Sequence, residues 1–197
     1  MEPVTRITGN AIPLDRADVD TDQIIPAKHL KKIERTGYGP FAFESWRKDP
    51  DFVVNQPEYG GAPILLAGPN FGSGSSREHA VWAIQQMGVG VVIAPKFADI
   101  FRNNSAKMGL LTVVLPQNDV EHLMARAAET PSAQLTVDLE SQTVSTPDGW
   151  SRRFEIDGFV KHTLLNGLDS IDLTMQHVDA IGTFEERRPS FKPTVTG

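Results

Sequence analysis

The chain contains no cysteine in 197 residues. Disulfides, a thiol nucleophile and an iron–sulfur cluster ligated by this chain alone are therefore excluded. Long apolar runs are missing too: none approaches the roughly 18 residues that span a bilayer. The opening stretch MEPVTRITGNAIPLD lacks the basic-then-apolar order of a secretory leader, so a cytoplasmic protein with no membrane partner is expected. Basic charge is in deficit, with 19 Lys and Arg against 25 Asp and Glu and a formal net charge of −6. Nucleic-acid binding, which runs on Lys and Arg contacts to phosphate, is disfavoured on that ground. What is present, 40% apolar and 22% charged residues, suits a globular chain with a single sizeable core.

The pattern along the chain is mixed. Residues 4–30 join β-branched residues to Asp and Pro punctuation and read as a strand, a turn and a polar loop. Residues 36–61, dense in Gly, Pro and aromatics, read as an irregular, partly packed flap. Order follows. APILLAG (62–68), VGVVIAP (89–95) and LLTVVLP (110–116) are buried-strand runs. Between and after them come helical stretches: one with a stripe at Ala80, Ala83, Ile84 and Met87 that stops at Gly88, one ending at Gly109, and one over 118–130 with Asn118 as its expected cap. Alternating strands and helices predict parallel strands joined by crossovers. Residues 133–157, with Leu135, Val137 and Leu139 alternating, predict antiparallel hairpins. Two helical stretches (158–167 and 169–181) and a loose tail from 184 complete the reading.

One turn concentrates polar chemistry: NFGSGSSREHA, from Asn70 to Ala80, lies between an apolar run and a helical one. It fits no common catalytic template. A Walker A loop needs Lys after its last Gly, where Ser75 stands. A dinucleotide fingerprint needs Gly where Arg77 stands, and a nucleophile elbow on Ser76 needs Gly where Glu78 stands. Two readings survive. Ser75-x-x-Glu78 is a capping-box pattern. Alternatively, glycines at a helix start, with Arg77 as a forked donor, make an anion site. His79 reads as a packed histidine. A second polar cluster, Asp18-x-Asp20-x-Asp22, starts like a calcium loop. It fails, because no Gly follows Asp22 at the sixth position and His29 replaces the twelfth-position Glu; Asx-capped turns are expected instead.

Taken together, DVDTDQIIPA, NFGSGSSREHA, FADIFRNNSAKMGLL and LLNGLDSIDLTMQHVDAI resemble the small-subunit family of isopropylmalate isomerases in the aconitase superfamily, over residues 1–183. The match extends to the long bacterial form, and ERTGYGPFAF is characteristic of it. The resemblance implies an α/β fold of the aconitase swivel-domain type, a β-barrel-like layer with a small parallel α/β unit. Residues 1–183 would form one domain, with a core to about 157, a helical appendage over 158–183 and a tail over 184–197. It implies a hydro-lyase reaction interconverting 2-isopropylmalate and 3-isopropylmalate in leucine biosynthesis. It also implies a large-subunit partner whose three cysteines hold a [4Fe-4S] cluster that acts as Lewis acid, with no metal bound by this chain.

By the same resemblance Ser75 is the base that removes the proton beside a carboxylate, and Arg77 binds substrate and stabilises that base. Asp22 pairs with site groups, while Ser76 and Gly74 line the substrate position. The loop from Lys28 to Thr36 reads the substrate's variable group, with Lys31, Lys32 and Arg35 as carboxylate contacts. Thr112 departs from the family's frequent Pro. Small subunits of related hydro-lyases acting on homoaconitate, citraconate or dimethylmalate, and a non-catalytic carboxylate-binding module, are the alternative readings.

Overall fold

β2 (Ala11–Leu14), β3 (Ile64–Ala67), β4 (Val91–Ala94) and β5 (Leu111–Val114) pair in that order, every neighbour parallel. The structure is a computed structural model that describes residues 1–189. β3 and β4 are buried along their full length because both faces of this sheet are covered. On one face Ile12, Leu65, Ala67 and Val92 meet α2 (Glu78–Gln86), α3 (Asp99–Met108) and the segment 38–59. On the other, Ile64, Leu66, Val91 and Ile93 meet α4 (Gln117–Glu129) and a second sheet. That second sheet is antiparallel, in the order β1 (Arg6–Gly9), β6 (Leu135–Asp138), β7 (Thr143–Ser145), β8 (Ser151–Arg153). β6 alternates between buried and half-buried residues, the signature of a sheet with one covered face. Asn10 alone separates β1 from β2, so the chain changes sheet within one residue.

The three crossover strands and the C-terminal hairpins match the sequence reading, and several details correct it. The parallel sheet has a fourth strand, β2. It carries Pro13 and lies at the sheet edge, where a missing N–H is tolerated. Pro116, not Asn118, caps α4, and Asn118 is its second residue. The flap at 36–61 is a chain of 3-10 turns anchored by buried Tyr38, Phe43, Phe52 and Tyr59. After α5 (Gly158–Asn166), the stretch 169–181 divides into α6 (Ser170–Met175) and α7 (Val178–Glu186). α7 thus crosses the expected 183/184 boundary, and the part of the expected tail from 190 onward lies outside the described residues.

Candidate functional site

The loops that leave the C-terminal ends of β2, β3 and β4 are laced together, at the edge where open parallel sheets place their ligands. Val19 O accepts from Gly72 N at 2.7 Å and Ser73 N at 3.1 Å, and Thr21 N donates to Ser73 O at 2.9 Å. Phe71 N donates to Lys96 O at 3.1 Å and Ala98 N returns to Phe71 O at 3.0 Å, tying in the loop after β4. Asp18 and Asn70 both hold positive φ, at 54° and 60°, and Asn70 Nδ2 donates to Asp18 Oδ1 at 2.8 Å. Positive φ at two non-glycine residues indicates a backbone held by its surroundings.

Beneath the turn, Phe71, Phe97 and Phe101 pack with ring centroids 5.3 to 6.4 Å apart. Gly72 lies directly on Phe101. A Cβ there would come within 2.2 Å of the Phe101 ring, and its φ is +79°. Gly74, at φ +89°, lets the chain swing back toward Asp20 and Thr21.

Asp20 caps the short helix α1 (Thr21–Ile24) through a capping box with Gln23, an Asx cap of the kind the acidic cluster suggested. Asp22 then projects from α1 and meets Arg77. Both guanidinium Nη atoms donate to it, Nη1 to Oδ1 and Nη2 to Oδ2, the latter at 2.8 Å. The Arg77 side chain is 15% exposed and that of Asp22 56%. The hydrogen bonds from Arg77 hold the Asp22 carboxyl below its ordinary pKa, helped by the Ala27 N–H and opposed by partial burial. Asp22 is therefore a fixed carboxylate, and Arg77 keeps N–H donors beyond the two it gives away.

Thr21 Oγ1 donates to Ser75 O at 3.0 Å, fixing that residue by its backbone. The side chains of Ser75 and Ser76 face solvent, and among the described residues the Ser75 hydroxyl has no hydrogen-bond partner. Ser76 Oγ accepts from Asn104 Nδ2 of α3 at 3.2 Å.

The capping box at Ser75 does not form. α2 starts at Glu78 with Arg77, in extended conformation, as its cap residue, and no side chain caps it. Gly72, Gly74 and the bonds to Val19 and Thr21 hold 72–76 in a laced turn, so the helix cannot begin earlier.

The structure thus gathers Asp22, Gly74, Ser75, Ser76 and Arg77. Lys31, Lys32 and Arg35 lie on a separate loop, and no hydrogen bond or ion pair among the described residues joins them to that group. Lys31 is exposed, Lys32 Nζ donates to Thr36 O at 2.6 Å, and the Arg35 guanidinium lies 5.8 Å from the Trp82 ring centre. His79 is packed as expected, 5.4 Å from Tyr38 and 4.8 Å from Trp82. Burial holds it below its ordinary pKa, opposed by Glu78 and reinforced by Arg77. Thr21 and Asn104 were not singled out by the sequence. Asn104 stands in FRNNSAKMG, but only the packing of α3 beside α2 brings it to Ser76. No group of three or more His, Asp or Glu among the described residues is placed to hold a metal ion.

Comparison with known proteins gives one answer along the chain. The family model described as the aconitase C-terminal domain matches residues 1–118. A model named LeuD_N matches 121–158, and one described as the C-terminal domain of the 3-isopropylmalate dehydratase small subunit matches 170–197. The 3-isopropylmalate dehydratase small subunit of Rubrobacter xylanophilus is 57% identical over 99% of this chain and 100% of its own length. That of Acidothermus cellulolyticus is 56% identical over 98% of each. The crystal structure of a 3-isopropylmalate dehydratase chain from Methanocaldococcus jannaschii superposes with TM-score 0.65 at 25% identity, covering 91% of this chain and 99% of that one. From its laced Ser-Ser-Arg turn to its last helix, this chain belongs to the family of 3-isopropylmalate dehydratase small subunits.

Proposed function

We propose that this chain is the small subunit of a 3-isopropylmalate dehydratase, a hydro-lyase of leucine biosynthesis that interconverts 2-isopropylmalate and 3-isopropylmalate through isopropylmaleate, in the cytoplasm and only with a large subunit. The observation that carries this reading is the match to relatives of that name over almost the full length of both chains. No helix among the described residues is long and apolar enough to cross a membrane, which accords with that setting.

The reading assigns roles within the laced turn. Arg77, oriented by Asp22, uses its remaining N–H groups to grip a substrate carboxylate. Ser75 takes the proton from the carbon beside that carboxylate. Ser76 and Gly74 line the position, and Asn104 holds Ser76. A serine hydroxyl is a weak base, and each pKa unit corresponds to about 1.4 kcal/mol. A helix N-terminus supplies at most ~2 kcal/mol, and the effect fades within the first turn. Ser75 lies three residues before α2, so the dipole contributes less than that here. Activation of Ser75 therefore falls to Arg77, to the backbone donors of the turn and to exclusion of water when the partner covers this exposed surface.

The donor set of this chain does not fit an iron–sulfur cluster: it has no thiolate, and no alternative ligand group is assembled among the described residues. The [4Fe-4S] cluster of the family is accordingly assigned to the large subunit. The test is reconstitution of this chain with its candidate large subunit, iron and sulfide, assayed with each isopropylmalate isomer. Turnover of both isomers is expected. A complex that turns over only a related di- or tricarboxylate, such as citraconate or homoaconitate, would overturn the substrate assignment.

A further inference from the structure

The segment from Lys28 to Tyr38 is pinned at both ends to the body of the protein, and between them it is held by its own contacts, Tyr38 Oη donating to Lys32 O at 3.3 Å and Lys32 Nζ to Thr36 O at 2.6 Å. At its start Lys28 Nζ and His29 Nε2 meet the two oxygens of Glu44 at 2.7 and 2.6 Å, and the His29 ring stacks on Phe41 at 3.9 Å. At its end both amide atoms of Gln86 are engaged. Oε1 accepts from Tyr38 N at 2.7 Å and Nε2 donates to Arg35 O at 2.8 Å. The two backbone partners are of opposite kind, which fixes the orientation of the amide. The fit is close, since a Cβ on Gly39 would lie 2.2 Å from the Gln86 carbonyl oxygen. Tyr38 is fully buried, while Ile33 at the tip of the segment is 94% exposed.

Gln86 is the last residue of α2, the helix that begins directly after Ser75, Ser76 and Arg77. At about 1.5 Å rise per residue, the clamp sits roughly 12 Å along a rigid rod from Glu78. One end of that rod is the laced turn, and the other holds the backbone of Arg35 and Tyr38. The rod sets the separation between the two.

We propose that Gln86 is a positioning residue. It locks the loop bearing Lys31, Lys32 and Arg35 in fixed register with the Ser75–Arg77 turn, so that a small dicarboxylate meets both at once. This rests on the proposed function and deepens it. A loop held in place before binding need not be ordered by the substrate. Its loss falls on ground state and transition state alike, raising KM and leaving kcat.

The test uses Gln86→Ala and Gln86→Glu, with two readouts. In the isolated chain, amide hydrogen exchange is followed at Tyr38. Gln86→Ala is expected to speed it about tenfold or more, and Gln86→Glu, which keeps the Tyr38 acceptor, much less. In the reconstituted complex, Gln86→Ala is expected to raise KM for isopropylmalate by about 5- to 20-fold with kcat within about twofold. Gln86→Glu, which loses only the donor to Arg35, should fall between Gln86→Ala and wild type. Unchanged exchange at Tyr38 would overturn the clamp. So would faster exchange with unchanged KM, or a loss confined to kcat. A wild-type complex inactive on isopropylmalate would instead overturn the proposed function and this inference with it, an outcome distinct from an active wild type with an indifferent variant.

Discussion

Because α2 starts at Glu78, the Ser75 hydroxyl can be removed without taking a cap from a helix. An exposed change of this kind moves stability by no more than about 0.5 kcal/mol. Ser75→Ala should therefore melt within a degree or two of wild type while turnover of the reconstituted complex drops about 10²–10⁴-fold, the usual yield of a general base. Near-normal turnover by the folded variant complex would remove Ser75 from the chemistry. His79 supplies a second test, through pH. Its folded pKa lies below the ordinary 6.5, chiefly because it is buried, so the unfolded chain takes up a proton first as pH falls. The stabilisation is complete above pH 6.5 and is lost as pH drops from there toward the lower folded value. Melting temperature followed downward from pH 7 should fall more steeply for wild type than for His79→Phe, which keeps an aromatic ring between Tyr38 and Trp82 and cannot titrate. Parallel slopes would show that His79 carries no such linkage. At this scale the motif was readable and its partners were not. Ser75, Ser76 and Arg77 are adjacent in the chain, whereas Asp22 is 55 residues from Arg77, and its spacing within an acidic cluster gave no hint of that pairing, which came through resemblance alone. Asn104 entered only through the packing of α3.

Among elements, the turn at 70–77 shows why local pattern misled. Ser-x-x-Glu describes a helix start correctly when nothing else acts on the backbone. Here Val19 O, Thr21 N and Thr21 Oγ1 act on it, all from a loop some fifty residues earlier, and they hold the chain in a shape no helix can share. β3 and β4 were legible because a strand buried on both faces is apolar throughout, a property of the strand alone, and β5 because only Thr112 interrupts its apolar run. β2 was not, since four residues with Pro13 among them make a strand only beside β3. The break between α6 and α7 likewise had no Gly or Pro to announce it. The rigidity of the turn is testable at Gly72. Alanine there meets both a left-handed φ of +79° and the Phe101 ring. Strain and overlap together should cost about 2–5 kcal/mol. Gly72→Ala should lower the denaturant midpoint of the isolated chain accordingly, and Gly149→Ala, at φ +97° but with open space around its Cβ, should cost less. Equal losses at the two positions would mean that contact with Phe101 does not constrain the turn.

At the scale of the whole molecule, the candidate site is a surface. Asp22 is more than half exposed and the Ser75 hydroxyl faces solvent, while cavities of about 390 and 550 Å³ are lined by other residues, near the N-terminus and between α3 and α5. In water an ion pair such as Asp22–Arg77 is screened and a serine hydroxyl stays protonated. The same groups gain strength once a second body excludes solvent, because charge interactions grow as the local dielectric falls. The purified chain, freed of any partner, is therefore expected to hold no iron after anaerobic incubation with iron and sulfide and to leave both isopropylmalate isomers unchanged. Adding the large subunit should bring turnover. Exchange of the substrate's abstractable proton with deuterated solvent should appear with turnover and vanish with Ser75→Ala, which separates proton removal from the departure of water. Iron retained by the chain alone would contradict the donor-set argument. Exchange catalysed by the chain alone would contradict the dependence of Ser75 on burial, and would place the whole proton-transfer apparatus within this subunit.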